Sequence, residues 1–314
     1  MRQVTAVMTV TGAAAFVALL WTLDLSSVRT LVVGAGWGVA LIVAQEIVAH
    51  GLNAVAWRLA SDPRYARAVP LARLLELRIA GDAINYLTPT ATLGGEVSRI
   101  GLLRGRYGVG VETGSVIVAK VAQTLAQALF VAVGVVFVLR VRLDVRSLTI
   151  GAAAGTLIVA VLLAALRLPV VRRMLHPPWR ECAGFLRRRP CRVAAATGLF
   201  FAGYAWGIVE AYLICRCLGL DLGISTAFAL ETMSACLDGL LFMVPAKIGT
   251  QEGGKAAIFA TLGLSPTAGF AFGLLRHARE LAWAATGLVI TALWCQRGRA
   301  VPASAGARQG EGSS

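Results

Sequence analysis

Two stretches of the chain share one pattern, DAINYLTPTATLGGEVSR at residues 82–99 and DGLLFMVPAKIGTQEGGK at residues 238–255. In each stretch an aspartate, a proline, a glutamate and a basic residue follow at the same spacing. A fifth pair, Lys120 and Arg276, keeps the same offset of 156 positions. We interpret the pattern as an internal duplication, with pseudo-repeats at about 1–140 and 148–295. The four matched pairs within the stretches are Asp82 and Asp238, Pro89 and Pro245, Glu96 and Glu252, and Arg99 and Lys255.

The composition around these stretches is too apolar for a soluble protein. Of the 314 residues, 57% are hydrophobic and 15% are charged, whereas soluble domains have about 45–50% apolar and about 25% charged residues. The 30 basic residues outnumber the 16 acidic ones, as expected for cytoplasmic loops that face anionic headgroups. The composition argues against a soluble enzyme, a nucleic-acid-binding protein and a disordered chain.

We therefore predict an all-α, polytopic membrane helix bundle of about seven or eight spans, because about 20 apolar residues cross the bilayer as a helix. Residues 1–295 would form the membrane domain and 296–314 a disordered tail. A basic amphipathic stretch at 62–78 and an arginine-rich loop at 167–192 are expected on the cytoplasmic side. The predicted spans are 4–23, 31–57, 113–139, 148–166, 193–218, 224–244 and 266–294.

The two repeated stretches lie in segments that glycine and proline interrupt, at 79–105 and 245–263. Basic residues flank the first segment at both ends, which favours a re-entrant hairpin over a crossing. Irregular backbone at membrane depth is tolerated only beside protein or a water-filled cavity. Paired interrupted segments in two halves indicate a transport site near the midplane. The alternative is a broken helix that serves packing alone.

The predicted spans do not give a consistent membrane topology. A cytoplasmic N-terminus makes the arginine-rich loop cytoplasmic but places the C-terminus outside, against the preference of Arg297 and Arg299 for the inside. An interruption in the helix at 266–294, or a hairpin that spans the membrane, would remove the conflict.

Ionisable side chains within spans cost about 2.5–3.5 kcal/mol each on insertion scales, so each is a functional candidate. Sequence neighbours could neutralise one another, as Glu96 with Arg99, Glu252 with Lys255, and Arg276 with Glu280. Around the second segment, local pairing leaves a positive surplus, which favours an anionic headgroup. The ionisable residues in or beside predicted spans are Glu46, Lys120, Glu210, Glu231, Asp238, Arg276, Arg279 and Glu280.

The paired glycines permit close backbone approach or left-handed turns. Helices that begin near Thr92 and Thr250 would offer free N–H groups to a phosphate, although Glu96 and Glu252 could instead serve as first-turn acids. We predict no catalytic or metal-binding residues. The predicted headgroup-binding residues are Asn85, Glu96, Arg99, Lys120, Lys247, Glu252, Lys255, Arg276, Arg279 and Glu280, and the predicted hinge residues are Pro89, Gly94, Gly95, Pro245, Gly249, Gly253 and Gly254.

These motifs resemble those of the lysylphosphatidylglycerol synthase transmembrane-domain family, which are flippase-like integral membrane proteins. Residues 85–99 look like the family's N-x3-P…GE-x2-R motif. Residues 245–254, followed by 276–280, look like its P-x3-G-x-QEGG…R-x2-RE pattern, in the form most similar to the branch found with hopanoid biosynthesis. The resemblance covers about residues 1–295.

The resemblance implies lipid translocation across a bacterial cytoplasmic (inner) membrane, through a cavity lined by two re-entrant segments. The implied partner is an anionic phospholipid or a polyprenyl or hopanoid lipid, and lipid-synthesis enzymes are candidate partners. About twenty residues follow the last predicted span, too few for the family's cytosolic synthase domain, so we expect a stand-alone translocase that is not an enzyme and needs no cofactor. The sequence leaves lipid identity, direction, energy source and oligomeric state open.

Two other functions stay open at this stage. The first is an intramembrane lipid-modifying enzyme that uses Glu252, His277 and Glu280. The second is an accessory scaffold in a complex that synthesises hopanoid or polyprenyl glycolipids.

Overall fold

A computed structural model describes residues 25–88, 94–103, 112–142, 184, 187–240, 247 and 249–299. That part of the chain is helical and contains no strand. The predicted spans 4–23 and 148–166, most of the arginine-rich loop, residues 300–314 of the tail, and the hinge residues Pro89 and Pro245 lie outside the described residues. The predicted start of the disordered tail is wrong, because residues 296–299 continue the last helix. The helices are α1 Leu25–Gly34, α2 Gly38–Ala44, α3 Glu46–Ala60, α4 Pro63–Ala68, α5 Leu71–Leu87, α6 Gly94–Leu103, α7 Glu112–Arg142, α8 Pro190–Cys217, α9 Ile224–Leu240, α10 Thr250–Thr261 and α11 Pro266–Arg299.

Three helical stretches of the described chain are long and apolar enough to cross a membrane: Gly38–Ala60, Gly114–Val138 and Pro190–Cys217. The last two confirm the helices predicted at 113–139 and 193–218. The helix predicted at 31–57 is wrong at its start. Helix α1 ends at Gly34, and the turn that follows contains Gly36 with φ of +48°, a backbone conformation that glycine adopts at little cost.

Helix α11 runs without interruption over 34 residues, about 51 Å at 1.5 Å per residue. The interruption that would have repaired the topology is therefore absent from it. Helices α6 and α10 have 10 and 12 residues, about 15 and 18 Å. Neither can cross about 30 Å of hydrocarbon alone.

The helices of the two halves follow one another in the same order and register. Shifted by 156 positions, the bounds of α5, α6 and α7 fall within three residues of those of α9, α10 and α11. Helix α10 begins at Thr250 as predicted, and α6 begins at Gly94. Each broken stretch therefore lies between a helix of 17 residues and a longer one.

Each half packs its long helix against the other half. Helix α11 lies along α5, and α7 lies along α9. Gly287 makes the first contact possible, because a Cβ atom there would lie 2.5 Å from Ala83 Cβ and 2.6 Å from the Ile79 carbonyl oxygen. Gly134 on α7 sits as closely against Thr232 on α9, where a Cβ would lie 2.8 Å from the threonine Cβ. Small residues allow this close backbone approach in membrane bundles.

Candidate functional site

Charged side chains of α5, α6 and α7 form what we call the first cluster. Arg99 lies at its centre and donates to Asp82 Oδ1 at 2.7 Å and to Glu96 Oε2 at 2.5 Å. Arg78 donates to Asp82 Oδ2 at 2.9 Å, and Lys120 Nζ lies 3.4 Å from Glu96 Oε1. The local pairing predicted for Glu96 and Arg99 is confirmed. The first cluster has three cations and two carboxylates.

Two glycines allow the parts of this cluster to approach closely. Gly81 leaves room for the Arg99 guanidinium, since a Cβ at residue 81 would lie 2.8 Å from Arg99 Cζ. Gly95 approaches Asn85, whose side-chain oxygen accepts a hydrogen bond from the Gly95 N–H at 2.7 Å. Asn85, predicted to bind a headgroup, therefore satisfies a first-turn N–H of α6 that was expected to face a phosphate.

The second cluster is larger and draws on α3, α8, α9, α10, α11 and Lys247. Arg276 forms two hydrogen bonds to Glu231, at 2.6 and 2.9 Å. Arg279 pairs with Glu46 and, at 3.0 Å, with Glu210. The members of the second cluster are Glu46, Glu210, Glu231, Asp238, Lys247, Glu252, Lys255, Arg276, His277, Arg279 and Glu280.

A loop lysine joins two parts of the second cluster. Lys247 Nζ lies 3.2 Å from Asp238 Oδ2 and 3.1 Å from Glu280 Oε1. Its backbone has φ of +51°, a conformation that is uncommon for residues other than glycine. Gln251 donates to the other Glu280 oxygen at 2.8 Å. The left-handed backbone thus aims the ammonium group between two carboxylates.

Two local pairings predicted for this cluster are wrong. Arg276 pairs with Glu231, 45 positions away, and with Glu210 at 3.7 Å, rather than with Glu280. Helices α8 and α9 bring those glutamates against the face of α11 that carries Arg276.

The glutamate on α10 also has a different partner from the predicted one. Glu252 contacts His277 Nδ1 at 2.5 Å, whereas Lys255 lies 3.5 Å from Asp238 Oδ1. Asp82–Arg99 and Asp238–Lys255 are therefore equivalent ion pairs, 156 positions apart.

The predicted positive surplus is also wrong. The second cluster sets four cations, Lys247, Lys255, Arg276 and Arg279, against six carboxylates. Its formal charge is −2 with His277 neutral, and that of the first cluster is +1. The sequence estimate failed because it paired neighbours only, while three of the carboxylates come from helices distant in sequence: Glu46, Glu210 and Glu231.

Two cavities open beside the clusters. The first, of about 230 Å³, is lined by Arg78, Asp82 and Tyr86 from the first half and by α11 from the second. The second cavity, of about 200 Å³, reaches from Gln123 and Gln127 on α7 to the charges of α8, α9 and α11. Both cavities touch the same four residues, Glu46, Asn53, Arg279 and Glu280.

The predicted headgroup-binding residues divide into two groups. Four of them line a cavity: Lys247, Arg276, Arg279 and Glu280. The other six line neither cavity and instead hold the helices that do: Asn85, Glu96, Arg99, Lys120, Glu252 and Lys255.

Several residues that line a cavity were not predicted from the sequence as site residues. The sequence did mark Glu46, Glu210 and Glu231 as charges that are costly within a span. Each needs a buried partner of opposite charge, and that need was the signal that could have placed them at the site. His50, Asn53, Tyr86 and Trp283 gave no comparable signal. Arg78 was assigned to the membrane interface, but it is 5% exposed and pairs with Asp82.

The predicted hinge glycines have different roles. Gly249 has φ of +74° and precedes α10, as a left-handed turn requires. Gly253 and Gly254 lie within α10, so a left-handed turn there is wrong. Gly254 faces Leu237, whose Cγ would lie 3.5 Å from an added Cβ, and Gly95 serves the close approach described above.

Several buried polar atoms near the cavities have no hydrogen-bond partner among the described residues. Those in residues that line a cavity are both ring nitrogens of His50, Glu210 Oε1, and the Nε atoms of Arg276 and Arg279. Unsatisfied buried polar atoms are rare in native proteins and are costly. Their concentration beside the cavities makes this region the candidate functional site.

The fold and site define a helical membrane protein with a charged interior between two similar halves. The family model for the lysylphosphatidylglycerol synthase TM region matches residues 4–289, and the chain belongs to that family. This places the protein in a membrane and links it to membrane lipids. No curated protein and no solved structure matches the chain.

Proposed function

We propose that the protein is a lipid translocase of a bacterial cytoplasmic membrane, whose two cavities receive a phosphate-bearing headgroup while the tails stay in the bilayer. The observation that carries the proposal is that both cavities are lined from both halves and share Arg279 and Glu280. A transport site is expected at such an interface.

The ion pairs of the second cluster determine how a headgroup can bind. Every cation of the second cluster already contacts a carboxylate, so a phosphate has to replace a carboxylate at Arg279 or Lys247. Charge-assisted hydrogen bonds to a phosphate have strengths similar to those they replace. Such an exchange costs least where the displaced carboxylate keeps another partner, as Glu280 does through Gln251.

The repeated geometry supports an origin by duplication and a movement of one half against the other. The equivalent pairs Asp82–Arg99 and Asp238–Lys255 each tie a broken stretch to the preceding helix. The short α6 and α10 are consistent with re-entrant segments. Within each half these ties keep the site rigid while the halves move.

The motif variant at residues 245–254 resembles that of the branch found with hopanoid biosynthesis, whereas the charged cavities favour a cargo with a phosphate, such as an anionic phospholipid or a polyprenyl phosphate. An enzyme that makes this lipid would be the natural partner. In this proposal the protein itself carries out transport and not chemistry.

Movement of fluorescent phosphatidylglycerol in proteoliposomes tests the proposal. We expect D82N and E280Q, which alter opposite walls of the first cavity, to lose most of the movement that the wild type shows. R216Q is the matched control, because Arg216 and Asp221 form an exposed pair, which is worth little. Wild-type rates in both cavity variants would contradict the proposal. No movement of phosphatidylglycerol or of a fluorescent polyprenyl phosphate by folded wild type would favour the scaffold role.

One observation favours a second candidate function, an intramembrane lipid-modifying enzyme. His277 Nδ1 lies 2.5 Å from Glu252 Oε1, and its ring packs edge-on against Tyr86 with centroids 6.3 Å apart. A carboxylate that orients a histidine is the arrangement of a general base. If H277Q abolished turnover of a lipid, detected by mass spectrometry of vesicle lipids, while movement continued, the enzyme would be favoured.

A further inference from the structure

A third cavity lies away from the charged interior, where two candidate spans end beside each other. Helix α3 ends at Ala60, and α8 begins at Pro190. The cavity measures about 340 Å³ and has three arginines in its wall, Arg58, Arg67 and Arg192. The ends of apolar spans lie at the depth of lipid headgroups.

Arg192 holds the two helix ends together. Its Nε donates to the Leu59 carbonyl at 3.1 Å, and its Nη2 donates to the carbonyls of Arg58 and Ser61 at 3.2 and 3.3 Å. The last carbonyls of a helix lack partners within it and carry partial negative charge. The site is therefore built by the fold and is not a chance group of surface side chains.

The charge balance of this cavity is opposite to that of the second cluster. Arg58 donates through Nε to the Ala66 carbonyl at 3.0 Å, and Arg67 donates to the Pro63 carbonyl at 3.2 Å. Among the described residues, none of the three arginines forms an ion pair with a carboxylate. Three further arginines directly precede α8, at positions 187–189.

The rest of the wall is apolar, made by Val55, Leu59, Pro63 and Ala66. A soluble anion would gain nothing from these side chains, whereas a lipid has a glycerol and acyl chain to place there. Arginine-rich sequence marks the cytoplasmic side, and that leaflet carries anionic lipid.

We propose that Arg58, Arg67 and Arg192 form a second lipid site, which holds the phosphate of an anionic glycerophospholipid of the cytoplasmic leaflet against the end of α3. This site is independent of the transport cavities. Binding of phosphatidylglycerol at this site then depends on arginines that take no part in translocation.

Retention of phosphatidylglycerol by detergent-purified protein, measured by native mass spectrometry, tests the site. The variant R58Q/R67Q spares Arg192 and so leaves the helix ends joined. Each charge near the surface is worth roughly fivefold in anionic-lipid binding, so we expect about a thirtyfold loss of affinity at this site, while phosphatidylglycerol held in the transport cavities stays bound. Phosphatidylcholine retention should stay unchanged.

R29Q/R216Q is the matched control, because it also removes two arginines and leaves the third cavity intact. Circular dichroism of all variants checks the fold. Equal phosphatidylglycerol retention by R58Q/R67Q and the control would overturn the proposal. Displacement of the lipid by millimolar inorganic phosphate would also overturn it, by showing a site for a soluble anion.

Discussion

The first and second clusters occupy equivalent places in the two halves but are built differently. The first uses three successive helices and leaves the Asp82 and Lys120 side chains 31% and 29% exposed. The second draws carboxylates from helices of both halves. Its Arg276, equivalent to Lys120, is 8% exposed, whereas its Asp238, equivalent to Asp82, is 25% exposed. The same repeated pattern thus gives a slightly basic cluster within one half and an acidic cluster that draws on both halves. We infer that the second cluster anchors the halves.

Among the variants that compare the two clusters, R276Q should lose the most stability. The change leaves Glu231 and Glu210 buried beside one another without the guanidinium, and removing one partner of a buried ion pair costs about 3–5 kcal/mol. Thermal unfolding in detergent should show a large loss of stability. The double variant E231Q/R276Q should recover part of it, and equal stability of the two variants would contradict a direct pairing.

The equivalent loss in the first cluster should be smaller. R99Q leaves Asp82 with Arg78 and Glu96 with Lys120, so we expect a loss of about 1.5–3 kcal/mol in the same unfolding measurement. A loss greater than that of R276Q would show that the first cluster is the anchor instead.

The packing between the halves gives the next effect. G287A would place a methyl group 2.5 Å from Ala83 Cβ, and overpacking costs about 1–3 kcal/mol. Gly198 on α8 has open space around it, with no atom within 4 Å of the place that an added Cβ would take, so G198A should be neutral or slightly stabilising. Similar melting temperatures for the two variants would contradict the close approach of α11 to α5.

The all-helical class and two of the long helices were predictable from the sequence, and the site only in part. The start of α10 and the pairing of Glu96 with Arg99 were predictable because both depend on local spacing. The pairing of Arg276 with Glu231 depends on how α9 and α11 pack, which no local rule contains. Arg78 was misplaced because an amphipathic pattern does not distinguish a helix face toward headgroups from one toward a buried aspartate.

The smallest expected loss of stability comes from the hydrogen bond at the start of the short helix α6. N85A removes the acceptor for the Gly95 N–H and should cost about 1 kcal/mol, as for loss of a helix cap. N85D keeps an acceptor oxygen and should retain the stability of the wild type. Position 241, 156 residues later, is leucine, so no such cap is available to α10 from that position. Equal melting temperatures for N85A and N85D would show that the bond contributes nothing.

Photo-crosslinking from a lipid headgroup tests the location of the transport site most directly. Phosphatidylglycerol with a diazirine on its headgroup would be irradiated with the wild-type protein in vesicles and the adducts located by mass spectrometry. The account predicts adducts on cavity-lining residues of both halves, such as Tyr86 and Trp283. Adducts confined to the apolar outer groove at Leu125, Leu129 and Phe201 would contradict it.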